Sequence, residues 1–94
     1  MNDHARVSQR TAIPLDLAGA FIRRVDLSGA ILVSADFSGA DCTNANFRGA
    51  DFEGAILEGT ILKGADLTDA RNLTKQQIQS AIIDDATLLP PGLR

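Results

Sequence analysis

From Leu15 to Asp69 an apolar side chain recurs at every fifth position, at Leu17, Ile22, Leu27, Leu32, Phe37, Cys42, Phe47, Phe52, Leu57, Leu62 and Leu67. Two positions before each centre runs a second column: Leu15, Ala20, Val25, Ala30, Ala35, Ala40, Ala45, Ala50, Ala55, Thr60 and Ala65, of which eight of eleven are alanine. The residue directly before the centre is Asp or Asn in seven units: Asp16, Asp26, Asp36, Asp41, Asn46, Asp51 and Asp66. Two positions after it, seven of eleven are glycine: Gly19, Gly29, Gly39, Gly49, Gly54, Gly59 and Gly64. The chain therefore divides here into eleven five-residue units without an insertion.

The period selects the architecture by exclusion. A five-residue step advances about 500° around an α-helix and would smear the centres over every side. Each glycine would also cost about 1 kcal/mol relative to alanine inside a helix. Glycine is not at every third position, which rules out collagen. A long strand fails because five is odd, so successive centres would alternate between faces. What remains is a short extended piece, with the centre and the small residue on one side, followed by a glycine-assisted bend. Chained bends wind into a solenoid with the centres inside.

Units such as Ala35-Asp36-Phe37-Ser38-Gly39, Ala50-Asp51-Phe52-Glu53-Gly54 and Ala65-Asp66-Leu67-Thr68-Asp69 resemble the pentapeptide-repeat family, whose pattern is A(D/N)LXX. That resemblance implies an all-β solenoid: a right-handed, quadrilateral (four-sided) parallel β-helix with four units per coil. Eleven units then give about three coils, rising about 14 Å at ~4.8 Å per stacked strand. Burial of the centres at roughly 1.5–3 kcal/mol each supplies the main stabilisation. Leu15, Val25 and Thr60 depart from the alanine column and are expected near coil ends, where the interior has spare volume.

An open solenoid end exposes unpaired backbone and apolar interior, so the flanks should be caps. Three regions follow: an N-terminal arm (1–14), the repeat (15–69) and a C-terminal capping helix and tail (70–94). Thr74-Lys75-Gln76-Gln77 reads as a capping box, with Leu73 and Ile78 at the staple positions. The spacing of Ile78, Ala81 and Ile82 predicts one short α-helix from about Lys75 to Ile83 over the last coil. Asp84 and Asp85 are placed at or past its end, because carboxylates oppose the dipole there. The segment from Leu88 to Leu93 is read as extended. Residues 1–14 offer only Val7, Ala12 and Ile13 as covering groups before Pro14, and incomplete coverage there favours self-association.

Charge and composition narrow the function. Net charge is −3, but residues 15–69 hold nine Asp/Glu against four Lys/Arg. An acidic centre argues against direct nucleic-acid binding. Trp and Tyr are absent and all four aromatics are Phe, so aromatic platforms for bases or sugars are not expected. The one cysteine, Cys42, excludes an intramolecular disulfide or a paired-cysteine zinc site. The N-terminus shows no apolar signal stretch and no run approaches a membrane span, so cytoplasmic residence without membrane insertion is expected.

No catalytic, metal-binding or cofactor-binding motif stands out, and an enzyme is not expected. His4 lacks a partner fixed by the repeat, and Cys42 sits in an inward column where a thiol behaves as a small hydrophobe. Asp26, Asn46 and Asp66 should stack on one face near Asp69, read as turn-forming residues bonded to backbone rather than as a cation site. Phe21, Ile31, Ile56 and Ile61 replace the outward Asp/Asn, and Val33 follows Leu32. Phe21, Ile31 and Val33 lie in the first coil beside Arg23 and Arg24, forming the candidate surface for a partner, a second copy or the N-terminal arm. The function expected is a non-catalytic protein-protein interaction or scaffold module that self-associates through a solenoid end. The alternative, from family members that resemble DNA in shape and charge, is an acidic mimic that occupies the DNA site of a type II topoisomerase such as gyrase.

Overall fold

The structure is a computed structural model describing residues 14–93. Each five-residue unit makes one side of a coil. The centre's carbonyl accepts from the amide three residues on, as in Ala20 N to Leu17 O at 3.0 Å and Ala40 N to Phe37 O at 2.9 Å. The residue before that amide has positive φ, between 59° and 70° throughout the repeat. Positive φ at the third position of such a turn is the type II signature and is the reason glycine is preferred there. Arg24, Ser34, Asn44 and Asp69 hold the same conformation with a side chain attached.

Four turns close a coil, which stacks in parallel on the next, so that Asp16 pairs with Asp36 and Phe21 with Asp41. Bridges join Asp16, Asp36 and Ile56 on the first side, and Phe21, Asp41, Ile61 and Ile82 on the second. They join Asp26, Asn46, Asp66 and Leu88 on the third side, and Ile31, Asp51 and Arg71 on the fourth. Backbone bonds run between coils along each side, as from Asp36 N to Leu15 O and Leu17 N to Asp36 O, at 2.9 and 2.8 Å. The same register extends past Asp69 to Arg71.

The centres from Leu32 to Leu67 are buried, with the alanines from Ala35 to Ala65 between them. Leu17, Ile22 and Leu27, in the first coil, are only half-buried. The second coil carries Phe37, Phe47 and Phe52, with ring centroids 5.2 to 6.3 Å apart and two of the three pairs edge-on. Phe37 and Phe47 meet across the axis, and the side between them carries the small, fully buried Cys42. Leu15 and Val25 lie in the first coil, as expected of large residues in the small column. Thr60 does not lie near an end: it is fully buried, and its hydroxyl donates to Phe37 O at 2.7 Å, so the extra polar group is satisfied.

Pro14 falls in the corner column, one unit before Gly19, and its ring locks φ in the negative range and removes the amide. The expected arm over residues 1–14, with His4, Val7, Ala12 and Ile13, lies outside the described residues except for Pro14.

At the other end, α1 (Lys75–Ser80) takes the place of the strand that would stack on Ile56. Its capping box is formed: Gln77 N donates to Thr74 Oγ1 at 3.1 Å and Thr74 N to Gln77 Oε1 at 2.8 Å. The helix stops at Ser80 rather than Ile83. Ala81 is already extended, and Ile82 N donates to Thr60 O, so Ile82 belongs to a sheet side and not to the capping helix. Competition with the parallel ladder wins because it offers a β-branched residue both backbone bonds and a packing surface. Asp84 does fall past the helix, in a turn. The tail is extended at its start, where Leu88 bridges Asp66, but not at its end, where Leu93 N closes a turn onto Pro90 O with Gly92 at φ 93°.

Side chains fill the places where this last rung loses register. Gln77 Nε2 donates to both Phe52 O and Ala55 O at 2.9 Å, doing for Ala55 what a strand amide does in the lower coils. Thr87 Oγ1 donates to Leu62 O at 2.8 Å, and Asp84 Oδ1 accepts from Gly64 N at 3.1 Å.

Substitutions at the corners and the cap test these assignments. Ser34→Gly should stabilise by about 1 kcal/mol, because it relieves a left-handed residue. Gly29→Ala, where a Cβ meets nothing within 4 Å, should destabilise by about the same amount through conformation alone. Urea denaturation reads both, and equal stability of the two variants would contradict the corner argument. Glu at Gln77's position is normally as good in a capping box, yet Gln77→Glu should destabilise by about 2–3 kcal/mol because it deletes both donors to Phe52 and Ala55. A neutral or stabilising result in the same assay would show those bonds to be without weight.

Candidate interaction surface

The outward column carries the surface chemistry. Each Asp or Asn before a centre accepts, through Oδ1, from the amide two residues on: Ala18 to Asp16, Ser28 to Asp26, Ser38 to Asp36, Thr43 to Asp41, Arg48 to Asn46, Glu53 to Asp51 and Thr68 to Asp66, at 2.9 to 3.2 Å. These Asx turns set up the corner, which is the local reason for Asp and Asn at that spacing. Asp26, Asn46 and Asp66 do stack along the third side. Among the described residues no group of three or more His, Cys, Asp or Glu is placed to hold a metal ion.

Hydrogen bonds to the charged form lower several of these carboxyls. The Ser28 and Ser38 hydroxyls, then their amides, lower Asp26 and Asp36, and the Thr43 hydroxyl leads for Asp41. Asn72 leads for Asp51. For Asp66 desolvation pushes upward most strongly, but Thr68 and Arg48 together still bring it down. Three aspartates also face arginine: Arg23 to Asp41 at 3.0 Å, Arg48 to Asp66 at 3.3 Å and Arg71 to Asp51 at 4.0 Å. These pairs connect neighbouring coils. Cys42 is the reverse case, its thiol pushed up to about 12 by burial and by the nearby Asp41 charge.

The candidate surface residues do not form one patch. Phe21 and Ile31 are 74% and 70% exposed, but they stand on the second and fourth sides, across the axis from each other. Val33 is half-buried and Arg24 occupies a corner. The structure instead joins Phe21 to Arg23, whose guanidinium lies 5.3 Å from the ring centroid while its Nε bonds Asp41. Above them on the same side come Ile61 and then Ile82. The second side thus presents an aromatic at its base, an ion pair in the middle and two isoleucines at the top. Ile82 was beyond reach of the five-residue pattern, because it stacks on Ile61 one position out of the register that the lower coils keep. A shallow groove of about 220 Å³ lies on the first side between α1 and the third coil, lined by Ile56, Glu58, Gln76 and Ser80 among others.

A family model described as pentapeptide repeats (8 copies) matches residues 15–49 and 35–71, more than half of the chain. No curated protein matches the sequence significantly. Among solved structures, the chain is similar to a pentapeptide repeat protein from the cyanobacterium Cyanothece 51142, at 29% identity and a TM-score of 0.65, covering 79% of this chain and 53% of that one. It is also similar to a pentapeptide repeat protein from the Arabidopsis thaliana thylakoid lumen, at 23% identity and a TM-score of 0.31, covering 78% and 57%. A third, from Nostoc Pcc 7120, shows 26% identity and a TM-score of 0.34 over 97% and 87%. The chain spans little more than half the length of the first two. No helix among the described residues is long and apolar enough to cross a membrane.

Because the lowered carboxyls have folded pKa values below their unfolded 3.8, their contribution to stability is present above that value and is lost as pH falls through the folded one. Thermal midpoints should therefore be flat from neutral pH down to about 5 and drop below about 4. The double variant Asp26→Asn, Asp36→Asn keeps both acceptors without titrating, as Asn46 does, and should flatten that drop. An unchanged acid slope in circular dichroism melts would count against the Asx carboxylates as its source.

Proposed function

The chain belongs to the pentapeptide-repeat family, and from that premise we propose that it is a non-catalytic protein-protein interaction module, a rigid post whose partner is another protein or a second copy. The observation that carries this reading is the second side, where Phe21 projects into solvent, braced by Arg23, below Ile61 and Ile82. Solvent-facing aromatic and aliphatic side chains on a rigid backbone give affinity at small entropic cost, and the flanking charges give rate and orientation. Right-handed winding and residence in the cytoplasm complete the proposal.

The DNA-mimic reading has less support. A side of four rungs rises only about 14 Å, against ~34 Å for a turn of B-DNA. Arginines neutralise Asp41, Asp51 and Asp66, and Ile56, Ile61 and Leu88 interrupt the acidic columns. Micromolar protein should accordingly leave gyrase supercoiling unchanged, and dose-dependent inhibition would restore that alternative.

Affinity capture from the source cells, with mass spectrometry, tests the module. A genuine partner of the second side should lose about 2 kcal/mol, roughly thirtyfold, on Phe21→Ala and retain its affinity on Ile31→Ala across the axis. Equal effects of the two variants, or retention of all partners by both, would remove the second side as the binding surface.

A further inference from the structure

Among the described residues, nothing stacks on the outer edge of the first coil. Asp36, Asp41, Asn46 and Asp51 bridge to coils on both sides, whereas Asp16, Phe21, Asp26 and Ile31 bridge on one side only. The apolar interior follows the same pattern. Leu15 and Val25 are 47% and 38% exposed, while Ala35 and Ala45, one coil further in, are 0% and 1%. A cover for this edge needs backbone donors and acceptors along four sides of a square, and an apolar centre to meet Leu17, Ile22 and Leu27.

Pro14 stands where the corner requires positive φ and a donating amide, and it has neither. A second copy's first coil supplies both requirements at once. Turned over by a two-fold axis perpendicular to the solenoid, it keeps its hand while its chain runs against the first copy's at the contact, so each facing pair of sides is antiparallel. Charge permits the encounter: the outward residues of this rim include Asp16 and Asp26 against Arg23 and Arg24. The far end does not offer an equivalent edge, since α1, Gln77, Thr87 and the turn at Pro90–Leu93 occupy it. Association through one end only stops at two copies and cannot propagate into a filament.

We propose that the first coil pairs with the first coil of a second copy, giving a head-to-head dimer joined by antiparallel backbone bonds around the square. This rests on the interaction-module reading and names one partner for it.

Sedimentation velocity of the full chain, from low micromolar to hundreds of micromolar, tests the pairing. The expected result is a monomer-dimer equilibrium weakened about tenfold or more by Leu15→Arg or Val25→Arg, each of which places a charge in the contact, and unmoved by Ile83→Arg at the other end. Circular dichroism checks that the variants fold. Amide exchange on the wild type is independent of them: Phe21 and Ile31 amides should be protected at high concentration and lose protection on dilution. A monomer at every concentration, or a dimer indifferent to both rim variants, overturns the proposal. Concentration-independent protection of those amides also overturns it, since residues 1–13 would then cover the edge. None of these failures touches a different protein captured through Phe21, and loss of such a protein leaves the dimer measurement intact.

Discussion

Closure of the backbone after every fourth corner is the constraint on which everything else in this molecule hangs. It comes from a left-handed residue at every fifth position, which turns the chain by one side of a square. Once four such turns bring the backbone back over itself, each residue lies beneath its counterpart in the next coil and parallel hydrogen bonds join the two. Five columns of sequence thereby become an axis, a lining, a set of corners and a charged exterior. The Asx bonds contribute by bending the backbone into each corner, so the same carboxylates shape the fold and decorate it.

Interior packing then depends on who shares a coil rather than on who is adjacent in sequence. The second coil combines three phenylalanines with one small member, Cys42. Its thiol is fully buried, with its pKa pushed up by that burial and by the nearby Asp41 charge, and it fills the interior as a small apolar group. Thr60 occupies an alanine position in the third coil because a carbonyl of the coil below, that of Phe37, lies within reach of its hydroxyl.

The two ends are handled by different means, and this asymmetry gives the molecule its polarity. The C-terminal end is finished by side chains: Gln77 stands in for a strand amide and Asp84 for a carbonyl, while Thr87 adds a second donor to Leu62 O. At the N-terminal end a proline stands in the corner column. Among the described residues the two ends of the post are therefore chemically different, and Leu15 and Val25 stay partly exposed at the first coil while the last coil is covered.

Much of this was legible in the sequence. The period of five, the inward columns, the turn-forming role of Asp and Asn and the Thr74–Gln77 capping box are local rules, which need only a few consecutive residues to operate. The tertiary structure decided what depends on distant backbone. The helix ends at Ser80 because Thr60 O draws Ile82 into the ladder, a competition invisible to helical spacing. Gln77 makes its second set of bonds to Phe52 and Ala55, carbonyls that belong to the coils beneath it. Phe21 and Ile31, near neighbours in the chain, face opposite ways, while Phe21 shares a side with Ile61 and Ile82. Propensity and periodicity describe a residue and its neighbours along the chain, whereas a solenoid's surface is assembled from residues a full coil apart, and only the closed backbone brings them together.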